Sequence, residues 1–445
     1  RLEELIIDGI KYQAMPYNYL AFINCLQDNY GEALEALQKA EEILRKNHEH
    51  DFERRSIITY GNYAWVYYYM DQLTDVQTYL DKLERICKLF PNASRHSVMT
   101  PEIYGEKGWA LLNCTGICYE EAKECFLKAL EEDPDDTEWN MGYATVLFRL
   151  ESFFGTAENL TPSKAIPQLR RVLELDPNDS VAMVLLALKL REVNEVNEGF
   201  TLVEKALKIS PNRPYVIRYA AKFLRKACVI DKAVELLKRA MAITPDSSFL
   251  HHQIGLCYRV KLIDLMKYPG IRNAEFEART ELIELCKSHF EKAFLLKKSF
   301  IPAQVDFAEM CLMNQEQRKA EDIYMNLLKL EHTRPENKQL VFLKVGLFEM
   351  HHKKNDLNAA DFFLKGMKVQ YKSYDREKCC KNLEKIMQRR LSRNPRDSIA
   401  FGFLGSMHQL DGEKQEAVEC FEKALRFNPN NEEYLNALGE LRLTI

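Results

Sequence analysis

Small and bulky apolar residues recur along this chain with a period of 34, and that recurrence predicts its elements better than overall hydrophobicity does. Leu186-Ala187 is followed by Gly199, Val203, Ala206 and Pro211. One period on, Ala220-Ala221 is followed by Ala233, Leu237, Ala240 and Pro245. Trp109-Ala110, Ala122, Phe126, Ala129 and Pro134 keep the same offsets upstream. Leu404-Gly405, Ala417, Phe421, Ala424 and Pro429 keep them near the end. The spacing puts small residues where two helices of a hairpin touch, bulky ones beside them, and proline where the second helix stops.

This is the tetratricopeptide pattern. Weaker copies begin at Leu20-Ala21, Ala64, Phe307-Ala308 and Gly346. Two copies carry inserts between their helices, around 151–160 and 261–279; the second insert is expected to extend both helices across a turn. Residues 432–445 read as a capping helix. The expected fold class is all-α, a right-handed tetratricopeptide-repeat superhelix of about ten helical hairpins with that capping helix. The expected division is 1–96, an N-terminal repeat subdomain; 97–279, central repeats lining a groove; and 280–445, C-terminal repeats and the capping helix. The chain opens at Arg1 and not at methionine, which predicts a fragment lacking its native N-terminus.

Composition narrows the function classes. Of 445 residues 46% are apolar, which excludes wholesale disorder, and only 17 are Gly and 15 Pro, which favours helices over tightly turned sheets. The net charge of −4 means that any polyanion site is a local patch or an enclosed groove. Twelve cysteines follow no zinc or redox spacing and read as buried thiols. No apolar run is long enough to span a bilayer and no signal peptide is visible, so a cytoplasmic location without membrane contact is expected. No phosphate-binding glycine loop, nucleophile elbow or His-Glu-x-x-His helix is present, so the chain reads as a binding protein without catalytic residues or cofactor.

In such a solenoid the first helix of each hairpin lines the concave surface, roughly through repeat positions 2, 5, 9, 12 and 13. The register then places Met141, Thr145, Phe148 and Arg149 inward in one repeat, and Val181, Val184, Leu188 and Arg191 in the next. Tyr215, Arg218, Lys222, Arg225 and Lys226 follow, then Phe249, His252, Leu256 and Arg259, with Gln253 alongside. Rings and cations on consecutive inward faces suit a flexible polyanion, since rings stack on bases and cations neutralise phosphates. The alternative for each helix is a solvated polar face. His251-His252-Gln253 lacks a third ligand at helical spacing, so it reads as a hydrogen-bonding run and not a metal site. The basic block from 365 to 396, Lys372 included, reads as a solvated face or an extension of a nucleic-acid track. The run Trp65-Val-Tyr67-Tyr68-Tyr69 reads as hairpin core.

Longer strings carry a more specific resemblance. Gly61-Asn-Tyr-Ala-Trp-Val-Tyr-Tyr-Tyr-Met70, Glu106-Lys-Gly-Trp-Ala-Leu-Leu112, Leu185-Leu-Ala-Leu-Lys-Leu190, Arg218-Tyr-Ala-Ala-Lys-Phe223 and Phe249-Leu-His-His-Gln-Ile-Gly-Leu-Cys-Tyr-Arg259 resemble the interferon-induced proteins with tetratricopeptide repeats, as does the terminal Glu440-Leu-Arg-Leu-Thr-Ile445. The resemblance runs the whole length. It implies an antiviral effector that holds the 5′ end of non-self single-stranded RNA, triphosphate or cap, in a narrow basic tunnel. By the same resemblance Trp109 matches a tunnel-wall tryptophan near the RNA cap, and Tyr119 and Arg149 match residues around the 5′ phosphates. Tyr215, Arg218, Tyr219 and Lys222 match phosphate and ribose contacts, and His252 and Gln253 match contacts to the first nucleotides. The departures are Asn113 for a phosphate-binding lysine, Val181 for a stacking tyrosine, Thr145 for an apolar residue of cap-binding members, and Leu347 where RNA-binding members carry arginine. The family's opening helices lie before Arg1.

A second function stays open at this stage: a scaffold that acts through homo- or hetero-oligomers with family members. Phe421-Glu-Lys-Ala-Leu425 resembles a C-terminal Tyr-x-x-x-Leu association motif, with Phe for Tyr. Tyr219 favours RNA, because scaffold-leaning relatives tend to have serine there.

Overall fold

The structure is a computed structural model and describes residues 14–90, 93–96, 98–114, 118–154, 162–267, 272–331, 333–371 and 373–444. Among these residues the regular elements are helices, with no sheet. The chain divides into two compact units, the first ending at Leu236 and the second beginning at Leu237. The first unit runs through the hairpins Ala14–Leu26/Tyr30–Asn47, Ile57–Tyr69/Leu73–Cys87, Pro101–Cys114/Tyr119–Glu132, Thr137–Phe154/Ala165–Leu175 and Ser180–Glu192/Val196–Ile209, then the helix Pro214–Lys226. The division falls within its partner, Ile230–Ile243. The second unit runs through Ser248–Lys267/Arg272–Leu296, Ile301–Met313/Gln317–Leu328, Pro335–His351/Asp356–Lys368, an unpaired helix Tyr374–Arg393, Ser398–Asp411/Lys414–Phe427 and the terminal helix Glu432–Thr444. The all-α repeat fold and the capping helix are as the periodicity predicts. The 261–279 insert does lengthen both helices of its hairpin, although 268–271 lie outside the described residues, as do 155–161 of the other insert.

The 34-residue period has a direct steric cause. Where a second helix carries a bulky ring, a small residue faces it on a first helix. A Cβ on Gly142 would come 2.3 Å from Phe126 Cε1, and one on Gly346 would come 2.4 Å from Phe363 Cε1. Both rings are fully buried. Asp179 and Asp397 start first helices by accepting from the backbone N–H groups of Val181 and Ala182, and of Ile399 and Ala400. The turn inside a hairpin is equally regular: its left-handed position is held by Asp28, Asp71, Asn194, Cys228, Gln315, Lys354 or Gly412.

Two expectations need correction. The aromatic run is not all core. Tyr63 is buried and Tyr67 packs on that cluster, but Trp65 is 61% exposed, and Tyr68 and Tyr69 are exposed too. They lie three and four residues apart and pack on one another, Trp65 against Tyr68 at 6.0 Å and against Tyr69 at 6.1 Å, on an outward stripe of the helix. Conversely Met141, Phe148, Val184 and Leu188, expected on an open inner face, are buried. The basic block spans the end of Asp356–Lys368 and the helix Tyr374–Arg393, which Cys379, Leu383, Ile386 and Met387 anchor while most of the block's cations stay on the solvated face, as read from the sequence. Its arginines are largely ion-paired, Arg376 to Asp411, Arg389 to Asp356 and Arg390 to Asp397; Lys372 lies outside the described residues. Eleven of the cysteines are free thiols, and most of these are buried.

The first unit also buries acid. Asp136 and Glu138 share Arg55, at 3.8 and 3.5 Å, and Glu106 lines the same small cavity as Glu138 and Arg55. Burial pushes the Glu106 carboxyl up to about 7, against the opposing pull of Arg55. A carboxyl that holds its proton longer folded than unfolded loses stability as pH rises between those two values, here from about 4.3 to 7. Glu106→Gln is therefore expected to melt higher than the parent at pH 8, with the gap closing at pH 4. An equal gap at both values would show that Glu106 does not titrate in this window.

Candidate nucleic-acid interface

The Thr137–Phe154 and Pro214–Lys226 helices bring the candidate residues of the first unit together. Arg149 donates through Nη1 to the Leu112 carbonyl at 2.5 Å, and its guanidinium lies 5.8 Å from the centre of the Tyr119 ring. Tyr215 and Tyr219, one helical turn apart, stack with centroids 4.5 Å apart and planes 26° apart. Arg218 lies over Tyr215 at 5.9 Å, Lys222 over Tyr219 at 5.8 Å, and Phe148 meets Tyr219 edge-on. The result is four rings and three cations within one half-buried cluster.

Its electrostatics are mutually reinforcing. Burial by itself lowers the Arg149 pKa, but Tyr215, Tyr219 and Tyr119 outweigh it and hold the guanidinium above its ordinary value. Burial raises the Tyr219 phenol, yet Arg149, then the hydrogen bond from Tyr215, Lys222 and Arg218, pull it below its ordinary value. Tyr215 moves the other way, raised by burial and by Tyr219. Such a cluster already concentrates positive potential where water is scarce, so an anion placed there gains more than it would at an open surface.

Beside the cluster is a cavity of about 150 Å³. Met15, Trp109, Met141 and Val181 give it apolar walls; Arg149, Tyr215 and Thr145 reach it from the cluster side. Trp109 is set by Phe126, whose ring meets it edge-on at 5.4 Å. Thr145 spends its hydroxyl on the Met141 carbonyl at 2.8 Å, and Asn113 donates to the Trp109 carbonyl at 3.0 Å. The remaining lining comes from the turns before two first helices: Asp176, Asn178, Asp179 and Ser180, then Ser210 and Arg213. These turn residues escape an inner-face register confined to first helices. Their signal is the proline-bearing run just ahead of each helix start, Asp176-Pro177-Asn178-Asp179 and Ser210-Pro211-Asn212-Arg213-Pro214.

The structure places His252, Gln253 and Arg259 in the second unit. All three are partly or largely buried, and His252 Nε2 and Arg259 meet the same carboxylate, Asp306, at 2.7 and 2.8 Å. Arg259 also reaches Glu309 at 2.5 Å. His251 Nδ1 lies 3.2 Å from His289 Nδ1. Among the described residues no group of three His, Cys, Asp or Glu side chains is placed to hold a metal ion, and no helix is long and apolar enough to cross a membrane. The Phe421–Leu425 segment is covered: Phe421 and Val418 are buried against Leu438 and Leu441 of the terminal helix, with Tyr434 and Leu425 packed beside them.

The fold is that of a tetratricopeptide-repeat protein, and its first unit holds a cavity lined by aromatic and cationic side chains. The tetratricopeptide repeat model matches residues 119–136 and 400–431. Protein IFIT1 homolog B of Homo sapiens is 41% identical over 426 residues, covering 95% of this chain and 90% of that protein. The antiviral innate immune response effector IFIT1 of Homo sapiens is 39% identical, covering 96% and 90%. The solved human IFIT1 dimer with m7Gppp-AAAA superposes with a TM-score of 0.83 at 38% identity, covering 96% of this chain and 94% of that one. The same protein has been solved with PPP-AAAA, with a TM-score of 0.81. The chain belongs to the family of interferon-induced proteins with tetratricopeptide repeats.

Proposed function

We propose that this protein binds single-stranded RNA by its 5′ end, as a non-catalytic antiviral effector in the cytoplasm. The terminal phosphates rest on Arg149, Arg218 and Lys222 beside Tyr119, Tyr215 and Tyr219, and the terminal base or RNA cap enters the cavity along Trp109 and Thr145. The observation that carries this reading is the Arg149 cluster, a half-buried guanidinium among three tyrosines with two more cations on the adjoining helix. Its chemistry suits phosphate oxygens, which accept charge-assisted hydrogen bonds, and ribose and base, which stack on rings. The relative IFIT1, with both capped and triphosphate RNA bound, supports the same class of ligand. The proposed site uses first-unit residues alone.

The direct test is the affinity of the whole chain for one short RNA carrying a triphosphate, monophosphate, capped or hydroxyl 5′ end. Triphosphate or capped RNA is expected to bind tightest; equal affinity for the hydroxyl end would refute end recognition. Salt supplies an independent check. Single strands lose about 0.7 in log–log slope per neutralised phosphate, so three terminal phosphates give a slope near about −2 between low and high salt. A flat titration would mean that these cations do not meet phosphate.

A further inference from the structure

We propose that the exposed aromatic stripe of the first two hairpins docks an arginine-bearing segment of a partner protein. Trp65, Tyr68 and Tyr69 lie on the helix Ile57–Tyr69, and Phe22 and Leu26 on its neighbour Ala14–Leu26; each is more than half exposed. The two helices lie side by side, joined by the hydrogen bond from Asn62 Nδ2 to Asn18 Oδ1 at 3.4 Å. Phe22 and Trp65 share one repeat position, directly after Ala21 and Ala64, and Leu26 and Tyr69 share another, one turn on. Trp65 meets Tyr68 edge-on, with planes 88° apart, and stacks on Tyr69 at 29°. Five large apolar side chains left together in water mark a contact surface, unlike single exposed residues scattered over a protein.

Charge decides the occupant. Neither helix carries a charged side chain. The turn after each one holds an exposed aspartate, Asp28 and Asp71. Asp28 accepts from the Tyr30 hydroxyl at 2.8 Å. The Tyr30 phenol is held above its ordinary value first by that bond and in part by Tyr69, which sets the pair at the end of the stripe. Nucleic acid fits poorly, because its affinity rests on cations that these helices lack and its phosphates would meet two carboxylates. A second copy fits no better, since a two-fold contact through this face puts four aspartates into one interface. A guanidinium answers both features: it stacks flat on tryptophan and tyrosine and forks onto a carboxylate. Lysine meets the charge but not the planes. Neighbouring helices stand about 8–10 Å apart, so one extended segment at about 3.3 Å per residue reaches both aspartates with arginines two to four residues apart.

The face carries its own reporter. Of the three tryptophans, Trp109 and Trp139 are buried and Trp65 is open to quenchers. The probe is a blocked nine-residue peptide with three arginines, compared with a lysine version and with a citrulline version, which is neutral and of the same shape. The arginine peptide is expected to protect Trp65 from acrylamide. By anisotropy of the labelled peptide it is expected to bind about tenfold tighter than the citrulline version, with lysine between them. Trp65→Ala is expected to weaken it about tenfold or more, the loss typical of an aromatic anchor. Asp28→Asn with Asp71→Asn keeps side-chain size and tolerates the left-handed turns, and is expected to bring the arginine peptide down to the citrulline level. That pair carries the comparison if thermal melting shows Trp65→Ala to be unfolded. Equal affinity for arginine and citrulline peptides overturns the proposal, as does an unprotected Trp65 or unchanged binding by the variants. Protection of Trp65 by a ten-nucleotide oligouridylate with a hydroxyl 5′ end also overturns it, and makes the stripe a track for RNA. Sedimentation that shows a parent dimer lost in Trp65→Ala overturns it in favour of a second copy.

Discussion

Arg149→Ala is expected to weaken binding of a 5′-triphosphate RNA by about ten- to a hundredfold, the roughly 1.5–3 kcal/mol of a charge-assisted hydrogen bond in a confined site. The guanidinium is enclosed by Tyr119, Tyr215 and Tyr219, and its burial is already compensated electrostatically. Removing it leaves the rings without their central cation and the Leu112 carbonyl without its donor. Lys385→Ala is the matched control, an exposed cation on the Tyr374–Arg393 helix. Its effect should stay within about 1 kcal/mol, as is usual for surface charge. Fluorescence anisotropy at one fixed salt concentration, well below the melting temperature of each variant, makes the comparison. Equal losses at the two positions would place the RNA on an open face and remove the Arg149 cluster from the site.

The second large effect is on stability. Phe126→Ala is expected to cost about 3–5 kcal/mol, read as a lower urea midpoint with an unchanged slope. The ring is fully buried and fills the space left by Gly108 and Gly142, where a Cβ would come within 2.9 and 2.3 Å of it. It also sets the edge-on contact that holds Trp109, so the variant should lose affinity for RNA even under conditions where it is folded. Phe126→Leu refills most of the volume and should recover most of the stability. Full RNA affinity in folded Phe126→Ala would separate the cavity wall from the hairpin core.

The fold was legible because each repeat packs mainly on its neighbours, so the steric rule that pairs Gly142 with Phe126 is written locally, in residues a fixed distance apart. The same locality made Tyr215, Arg218, Tyr219 and Lys222 readable as one cluster, since they lie within two turns of one helix. Arg149 was readable from its inner position, but not its enclosure by tyrosines from two other helices. Arg213 and Asp179 were not readable as lining, because turns between hairpins fall outside the helical period that generated the list. Trp65 shows the opposite failure. Its aromatic neighbours invite a core assignment, while it shares with Tyr68 and Tyr69 a stripe of the helix that faces solvent. The Tyr374–Arg393 helix was hidden by charge: only Cys379, Leu383, Ile386 and Met387 carry its apolar stripe.

The turns inside the hairpins hold a reserve that the cavity does not need. Among the described residues six of them place an L-residue at a left-handed position where glycine is the unstrained choice, and only Gly412 takes it. Aspartate and asparagine tolerate the conformation, which leaves Cys228, Gln315 and Lys354 as the strained members. None of the six lines the cavity. Because a repeat array adds its stability from neighbour to neighbour, relief at one turn spreads no further than the adjoining hairpins. Robustness in this protein can therefore be tuned link by link, independently of what it binds.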